Sequence, residues 1–169
     1  PVSNLSNQPL SPLDGRYKSV VADLAMHLSE AGLNRARIQV EIEWLIHLAN
    51  RNLLKTNATL DLTEIELLRN VVVNFSDADV EALGALEATT KHDVKAVEYF
   101  VRDKLAEIGR SDLSELAHFA CTSEDINNTS YALTVRDAIN NVWLPSARSL
   151  VEKLAALAQQ YREVSMLSR

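Results

Sequence analysis

Apolar residues recur every three or four positions along most of the chain, which is the spacing of an amphipathic helix. We predict seven helical segments, and no segment alternates with the period of a strand. Their apolar stripes are Val20, Leu24, His27 and Leu28; Ile38, Ile42, Leu45 and Ala49; Ile65, Leu68, Val72 and Phe75; Val80, Leu83 and Leu86; Val94, Val97, Val101, Leu105 and Ile108; Ala132, Val135, Ile139 and Val142; and Leu150, Leu154, Leu157 and Tyr161.

Capping and breaking residues predict where these helices begin and end. Glycines at positions 32 and 109 are expected to end the first and fifth helices. Leu60 to Thr63 reads as a turn, and the run from Thr63 to Glu66 as a capping box that opens the third helix. Ser76 with Asp77 opens the fourth, and Pro145 suits the first turn of a separate last helix.

These elements indicate an all-α fold. The chain holds only 4 Gly and 4 Pro, which is few for the many tight turns of a sheet-rich fold. Aromatic residues are also scarce, at 5%. The sequence pattern changes near Ser111, where shorter helices give way to a compact apolar segment and two long helices. We therefore predict a small N-terminal helical domain over residues 1–111, led by an extended arm at residues 1–12. Residues 112–169 would begin a helical bundle whose Leu150 stripe needs a partner.

Composition narrows the function further. The chain carries 17 Lys and Arg against 23 Asp and Glu, a net charge of −6, with no basic block, which argues against nucleic-acid binding. The single cysteine, Cys121, excludes an intramolecular disulfide and a cysteine-built metal cluster. No apolar run reaches the length of a membrane span, and no metal-ligand spacing occurs. We expect a cytoplasmic protein without a bound metal.

Two polar segments lie where packing gives no reason for them. In the first, Asp14-Gly15 forms a turn, and Arg16 and Tyr17 could hold a phosphate; taken alone, a solvated turn is the favoured interpretation. In the second, residues 89–93, a histidine at a helix start could bind an anion or carry a proton. The alternative is that Asp93 caps the helix and His92 is a loop residue. In either case, Glu98 and Arg102 are expected to pair on the surface of that helix.

A third polar segment spans residues 122–128. Hydroxyls and free amides at a helix N-terminus can hold a carboxylate. A capping box from Thr122 to Asp125 is the alternative, but it leaves Asn127 and Asn128 unexplained, since Asn favours turns and caps. The other histidines, at positions 27, 47 and 118, are interpreted as structural or supporting residues, and the cysteine as a small buried hydrophobe.

Three runs of residues carry a family resemblance. The runs 11–17 (SPLDGRY), 89–100 (TTKHDVKAVEYF) and 118–128 (HFACTSEDINN) resemble the bacterial-type adenylosuccinate lyases of the fumarase/aspartase superfamily. The second and third runs are long enough to be specific, and the three follow in order along the whole chain.

The resemblance implies an all-helical lyase that cleaves a C–N bond and releases fumarate. Its substrates would be adenylosuccinate, which gives AMP, and the succinylocarboxamide precursor of purine synthesis, with no metal and no organic cofactor. Residue by residue, it implies that Arg16 and Tyr17 contact the nucleotide. Lys91, His92 and Asp93 would also contact substrate, with His92 as an auxiliary favoured for binding and charge balance. Thr122 and Ser123 would hold a carboxylate of the succinyl group.

The resemblance also implies what this chain lacks. In the family, the run that ends at Arg169 continues into the segment with the usual general acid, and a later flexible loop supplies the base. Active sites combine segments from three subunits of a homotetramer. We therefore expect the chain to be the N-terminal part of such an enzyme, inactive by itself.

Two other interpretations stay open. Another superfamily lyase, such as argininosuccinate lyase or aspartase, is disfavoured by the KHDVKA and TSED runs, and a substrate panel would decide. A non-catalytic helical interaction module is supported by the uncovered bundle stripe. That module should bind no AMP.

Overall fold

The computed structural model describes residues 11–52 and 59–167, and the regular secondary structure of these residues is helical, with no strand. The α-helices in chain order are α1 Ala22–Leu28, α2 Glu30–Asn50, α3 Leu62–Val73, α4 Asp77–Thr90, α5 Asp93–Glu107, α6 Ser123–Ala138 and α7 Leu144–Gln160. A 3₁₀ helix, Ser111–Leu116, precedes α6, and a π-helical turn, Ile139–Trp143, joins α6 to α7. The all-α prediction is confirmed, whereas most of the predicted arm at residues 1–12 lies outside the described residues.

Helix α2 is the centre of the packing, because α1, α3, α5, α6 and the 3₁₀ helix all contact it. Its predicted stripe is confirmed: Ile38, Ile42 and Leu45 are fully buried, and Ala49 is nearly so. The α5 stripe faces the same core, which also takes in Leu113, Leu116 and Ala117 of the segment after it. Helix α4 packs on α5.

The junction between α1 and α2 differs from the prediction. Gly32 does not end the first helix; Ser29 separates the two helices and caps α2 by accepting the Gly32 N–H at 3.0 Å. A β-carbon on Gly32 would lie 2.8 Å from the His27 carbonyl, so glycine is needed here for close approach rather than for a turn. By contrast Gly109, at φ +78°, ends α5 as predicted.

The capping box of α3 begins two residues earlier than predicted, so that Leu62 and Thr63 are helical rather than part of a turn. Asp61 accepts the Glu64 N–H at 2.8 Å, and Glu64 accepts the Asp61 N–H at 2.8 Å. Asp61-x-x-Glu64 fits the capping-box signature as well as the predicted run from Thr63 to Glu66 does. Arg110 favours the box at Asp61, because it donates to both Glu64 oxygens at 2.8 Å. The predicted start of α4 at Ser76 is confirmed.

The last two predicted helices form one continuous rod. Backbone angles stay in the right-handed helical region through the junction, and the π-helical turn lies directly before Leu144 and Pro145. Proline has no N–H for the preceding turn, and a widened turn accommodates it without a break. Leu150, Leu154, Leu157 and Tyr161 are each about half exposed, and α7 buries no residue against the rest of the described chain.

Candidate functional site

Helix α5 is capped by His92, and not by Asp93 as one interpretation held. His92 is extended at φ −152°, and its Nδ1 accepts the Lys95 N–H at 3.2 Å. Thr90 stabilises the segment that leads into α5, because its hydroxyl donates to the His92 carbonyl at 3.0 Å. Asp93 is the first residue of the helix, and Lys91 takes a left-handed conformation at φ +54°. The His92 ring is therefore fixed by the helix that it caps.

Helix α6 begins with the predicted capping box. Thr122 is extended, and its N–H donates to the Asp125 carboxylate at 2.7 Å. Ser123 is the first helical residue, so the N–H groups of Ser123 and Glu124 belong to the first turn, where a helix has no intrahelical acceptors. This end of α6 presents hydrogen-bond donors and the positive end of the helix dipole.

These two helix starts converge. The His92 Nε2 lies 3.5 Å from the Ser123 hydroxyl oxygen. Since Nδ1 already accepts a backbone N–H, the neutral His92 ring carries its proton on Nε2, the nitrogen that faces Ser123. The His92 side chain is 52% exposed, so a ligand can reach the pair from solvent. The structure thus brings the second and third predicted segments together and aims donors at one place.

An arginine outside the predicted site residues ties these helix starts to α2. The side chain of Arg37 is 6% exposed, and its Nη2 donates to Asp93 Oδ2 at 2.8 Å. Its Nε donates to Asn127 Oδ1 at 2.9 Å, and its Nη1 to Asn34 Oδ1 at 2.9 Å. Burial opposes ionisation of Asp93, but the Val94 N–H and the Arg37 charge outweigh it and lower the Asp93 pKa.

One turn further along α2, Glu41 holds the segment that leads into α6. Its Oε1 lies 2.6 Å from His118 Nδ1, and its Oε2 accepts the His118 N–H at 3.0 Å. His118 and Ala120 are both left-handed, at φ +60° and +58°, which costs energy for residues with side chains. Burial raises the pKa of the fully buried Glu41, and its contacts with His118 oppose the shift.

Asn127 and Asn128 have roles in this network. Asn127 accepts from Arg37 and donates to Glu124 Oε1 at 3.1 Å. Asn128 donates to the Glu124 carbonyl at 2.9 Å and to its Oε2 at 3.1 Å. The two amide side chains therefore stabilise the first turn of α6. This contact accounts for the two asparagines, which the capping box alone does not explain.

Arg16 and Tyr17 lie elsewhere in the described chain. The Arg16 guanidinium sits 4.7 Å from the centre of the Tyr17 ring, in the predicted turn before α1, and both are exposed. No hydrogen bond or ion pair within residues 11–52 and 59–167 joins them to His92 or Ser123. The structure places them as a solvent-exposed cation–π pair.

The other side chains named in the sequence analysis differ in how far they are buried. His47 is exposed and stacks on Trp44 with ring centres 5.6 Å apart, and His27 is half-buried. Cys121 is half-buried; desolvation, followed by the charges of Glu41 and Asp125, raises its thiol pKa. Glu98 and Arg102 pair at 2.9 Å as predicted, but Glu98 is buried and not on the surface.

The sequence carried weak signals for Arg37, Glu41 and Glu98. All three lie beside apolar stripe positions, where a charged residue ordinarily covers the edge of a helix face and reaches water. An Arg and a Glu four residues apart also fit an exposed helix pair. Their burial depends on which helices pack on α2, which the local pattern does not contain.

Two further properties concern the described ranges as a whole. Between residues 11 and 52 and between 59 and 167, no group of three or more His, Cys, Asp and Glu side chains is placed to hold a metal ion. Across the same residues, no helix is both long and apolar enough to cross a bilayer.

A family model described as "Lyase" matches residues 15–169. The chain belongs to this lyase family. The match includes both converging helix starts and the turn with Arg16 and Tyr17.

Several curated relatives of this chain share a name. It is 45% identical over 161 residues to "Adenylosuccinate lyase" of Escherichia coli (strain K12) and 43% identical over 169 residues to "Adenylosuccinate lyase" of Haemophilus influenzae. The protein of that name from Dictyostelium discoideum is 38% identical over 164 residues. Each match covers 95% of the chain but 35% of the relative. The resemblance found in the three sequence runs is confirmed, and the chain spans about a third of the relatives' length.

Proposed function

We propose that the complete protein is a C–N lyase that cleaves adenylosuccinate to AMP and fumarate and acts likewise on the succinylocarboxamide precursor of purine synthesis. The observation that carries the proposal is the meeting of His92 and Ser123, at 3.5 Å, across two helix starts. Two positive helix ends and two side-chain donors favour an anion there. A succinyl carboxylate fits this chemistry, and the similarity to adenylosuccinate lyases supports the substrate class.

In this proposal the described residues bind and orient the substrate. Thr122 and Ser123 hold a carboxylate of the succinyl group, with the free N–H groups of the α6 first turn. His92 donates from Nε2 to the same anion, and Lys91 and Asp93 frame it. Because a carboxylate beside the reacting carbon must be held while its neighbouring proton leaves, this contact would strengthen as the transition state forms.

The exposed pair near α1 would serve the other end of the substrate. Arg16 offers a planar fork of donors that suits a phosphate, and Tyr17 offers a hydroxyl and a ring face. The substrate carries a phosphate and two carboxylates; this pair would serve the phosphate, and the two converging helix starts would serve one of the carboxylates. No metal and no organic cofactor takes part in this proposal.

The reaction itself is a β-elimination. A base takes the proton from carbon, the electrons of that bond form the double bond of fumarate, and the C–N bond breaks as an acid protonates the leaving nitrogen. His92 is an auxiliary here and cannot fill both roles. We assign the acid and the base to parts of the relatives' length that this chain does not span.

Assembly and location complete the proposal. The half-exposed stripe of Leu150, Leu154, Leu157 and Tyr161 on α7 supports a helical-bundle contact, and we propose a cytoplasmic homotetramer. The division into residues 1–111 and 112–169 stays a prediction of the same scheme.

A substrate panel tests the function. The complete protein is incubated separately with adenylosuccinate, argininosuccinate and aspartate, and fumarate release is measured. We expect turnover of adenylosuccinate and none of the other two. Release from argininosuccinate or aspartate alone would assign another superfamily lyase. No turnover, together with no AMP binding in a titration, would favour the helical interaction module.

A further inference from the structure

Arg37 lies behind the converging helix starts rather than at their surface. Its side chain is 6% exposed, and each of its three guanidinium nitrogens donates to a different side chain, at 2.8 to 2.9 Å. Two of these contacts leave α2, one to Asp93 at the start of α5 and one to Asn127 near the start of α6, whereas the third, with Asn34, stays within α2. No other side chain among the described residues hydrogen-bonds both to residues 91–93 and to residues 122–128.

The first consequence is positional. His92 is adjacent to Asp93 in the chain, and Ser123 lies one helical turn from Asn127 on α6. A rigid guanidinium that binds Asp93 and Asn127 therefore fixes the spacing between His92 and Ser123. Donors that must converge on one carboxylate lose effect when their spacing drifts by about 1 Å.

The second consequence is electrostatic. Asp93 is a carboxylate in the segment predicted to contact an anionic substrate, and its charge alone would repel that anion. Arg37 neutralises it: Asp93 Oδ2 faces the guanidinium at 2.8 Å and Oδ1 accepts the Val94 N–H at 2.9 Å. Both oxygens are thereby occupied within the protein.

We infer that Arg37 is a positioning residue for the carboxylate site, which it serves by fixing the spacing of α5 and α6 and by cancelling the Asp93 charge. This inference rests on the proposed function of the same site. In this scheme Arg37, a buried residue on α2, does not contact the substrate. It nevertheless controls the affinity of the site for the succinyl carboxylate.

A double-mutant cycle in the complete protein tests the inference, with Arg37→Met, Asp93→Asn and the combination. Arg37→Met leaves an unpaired carboxylate near the anion, and we expect KM for adenylosuccinate and Kd for fumarate to rise about ten- to a hundredfold. Removing that carboxylate should restore part of the affinity. The double variant is therefore expected to bind more tightly than Arg37→Met alone, with coupling between the two sites.

Two further variants guard against a failure to fold. Arg37→Lys keeps the charge and loses the fork, and we expect it to lie between wild type and Arg37→Met. Arg69→Met is the matched control, because it removes an exposed arginine that binds Glu43 through two bonds at 2.7 and 2.8 Å. It should leave both constants within about twofold of wild type. Circular dichroism melting shows which variants are folded.

The outcomes separate the inference from the proposed function. If wild type turns over no adenylosuccinate but binds fumarate, the proposed function fails and the cycle is judged on fumarate affinity. If wild type binds no fumarate, both fail. If a folded Arg37→Met binds as wild type does, or if the double variant is no better than Arg37→Met, the inference is overturned.

Discussion

Glu41 holds His118 by two contacts, at 2.6 Å to the ring and 3.0 Å to the backbone N–H, from a fully buried position on α2. His118 is left-handed, and five residues later the chain enters α6 at Ser123. A strained turn persists when its surroundings fix it, and Glu41 provides that restraint. The site at Ser123 therefore depends on a carboxylate that a ligand need not touch.

Replacing Glu41 measures this restraint. Glu41→Ala leaves the His118 N–H without its acceptor, and we expect it to lower the free energy of unfolding by about 1–3 kcal/mol. Glu41→Gln keeps an acceptor and should cost less. Glu43→Ala, on the same helix but in an exposed pair with Arg69, is the control and should cost about 0–1 kcal/mol. Urea denaturation compares them; equal losses in Glu41→Ala and Glu43→Ala would show that Glu41 restrains nothing.

The pH dependence of stability follows from the same residue. Burial first, and the nearby Glu98 charge with it, raise the Glu41 pKa above its ordinary 4.5, although His118 opposes the shift. The folded chain therefore binds this proton more readily than the unfolded chain. The stability from this group is fully present below pH 4.5 and is lost as pH rises through the raised pKa.

Glu41→Gln lacks that ionisation, so it isolates the effect. We expect the unfolding free energy of wild type minus that of Glu41→Gln to fall as pH increases from 4.5 towards 7. Urea titrations at several pH values give the difference directly. A difference that stays constant or increases with pH would mean that the Glu41 pKa is not raised.

The helices and the capping residues could be predicted largely from sequence, because their causes are local. The stripe of α2 from Ile38 to Ala49 and the box at Thr122 follow from spacing and side-chain chemistry alone. Where two local solutions competed, as at Asp61 and Thr63, a distant residue decided. Arg110 binds Glu64 from across 46 positions of the chain.

The site was predictable in its anion-facing residues and not in its support. His92 and Ser123 are polar residues at helix starts, and the local capping pattern in the sequence indicates such positions. Arg37 and Glu41 are charged residues on a helix, and their local sequence is equally consistent with exposure to solvent. Their burial follows from tertiary packing between segments up to 90 positions apart, as in the contact of Arg37 with Asn127.

Arg16 tests the proposed phosphate contact. In the complete protein, Arg16→Ala should raise KM for adenylosuccinate about ten- to a hundredfold, because a charge-assisted hydrogen bond to phosphate is lost. Arg69→Ala, another exposed arginine, should leave KM unchanged. Steady-state kinetics give both values, and a wild-type KM in Arg16→Ala would remove Arg16 and its stacked Tyr17 from the nucleotide site.

The 169 residues by themselves are predicted not to cleave adenylosuccinate. Elimination needs an acid and a base, each contributing typically 10²–10⁴-fold, and the chain spans 35% of relatives that bear the enzyme's name. The purified chain is incubated with adenylosuccinate beside the complete protein, and the ultraviolet absorbance is followed. Turnover above about a thousandth of the control rate, after contamination is excluded, would show that the catalytic groups lie within these residues.

The central claim is that the meeting of α5 and α6 holds the succinyl carboxylate, and Ser123→Ala in the complete protein tests it most directly. Loss of the hydroxyl should lower kcat/KM for adenylosuccinate about ten- to a hundredfold, with kcat reduced as well as KM raised. Ser146→Ala, whose exposed hydroxyl donates to the Val142 carbonyl at 3.0 Å, is the matched control and should match wild type. Wild-type kcat and KM in a folded Ser123→Ala variant would contradict the assignment of the site.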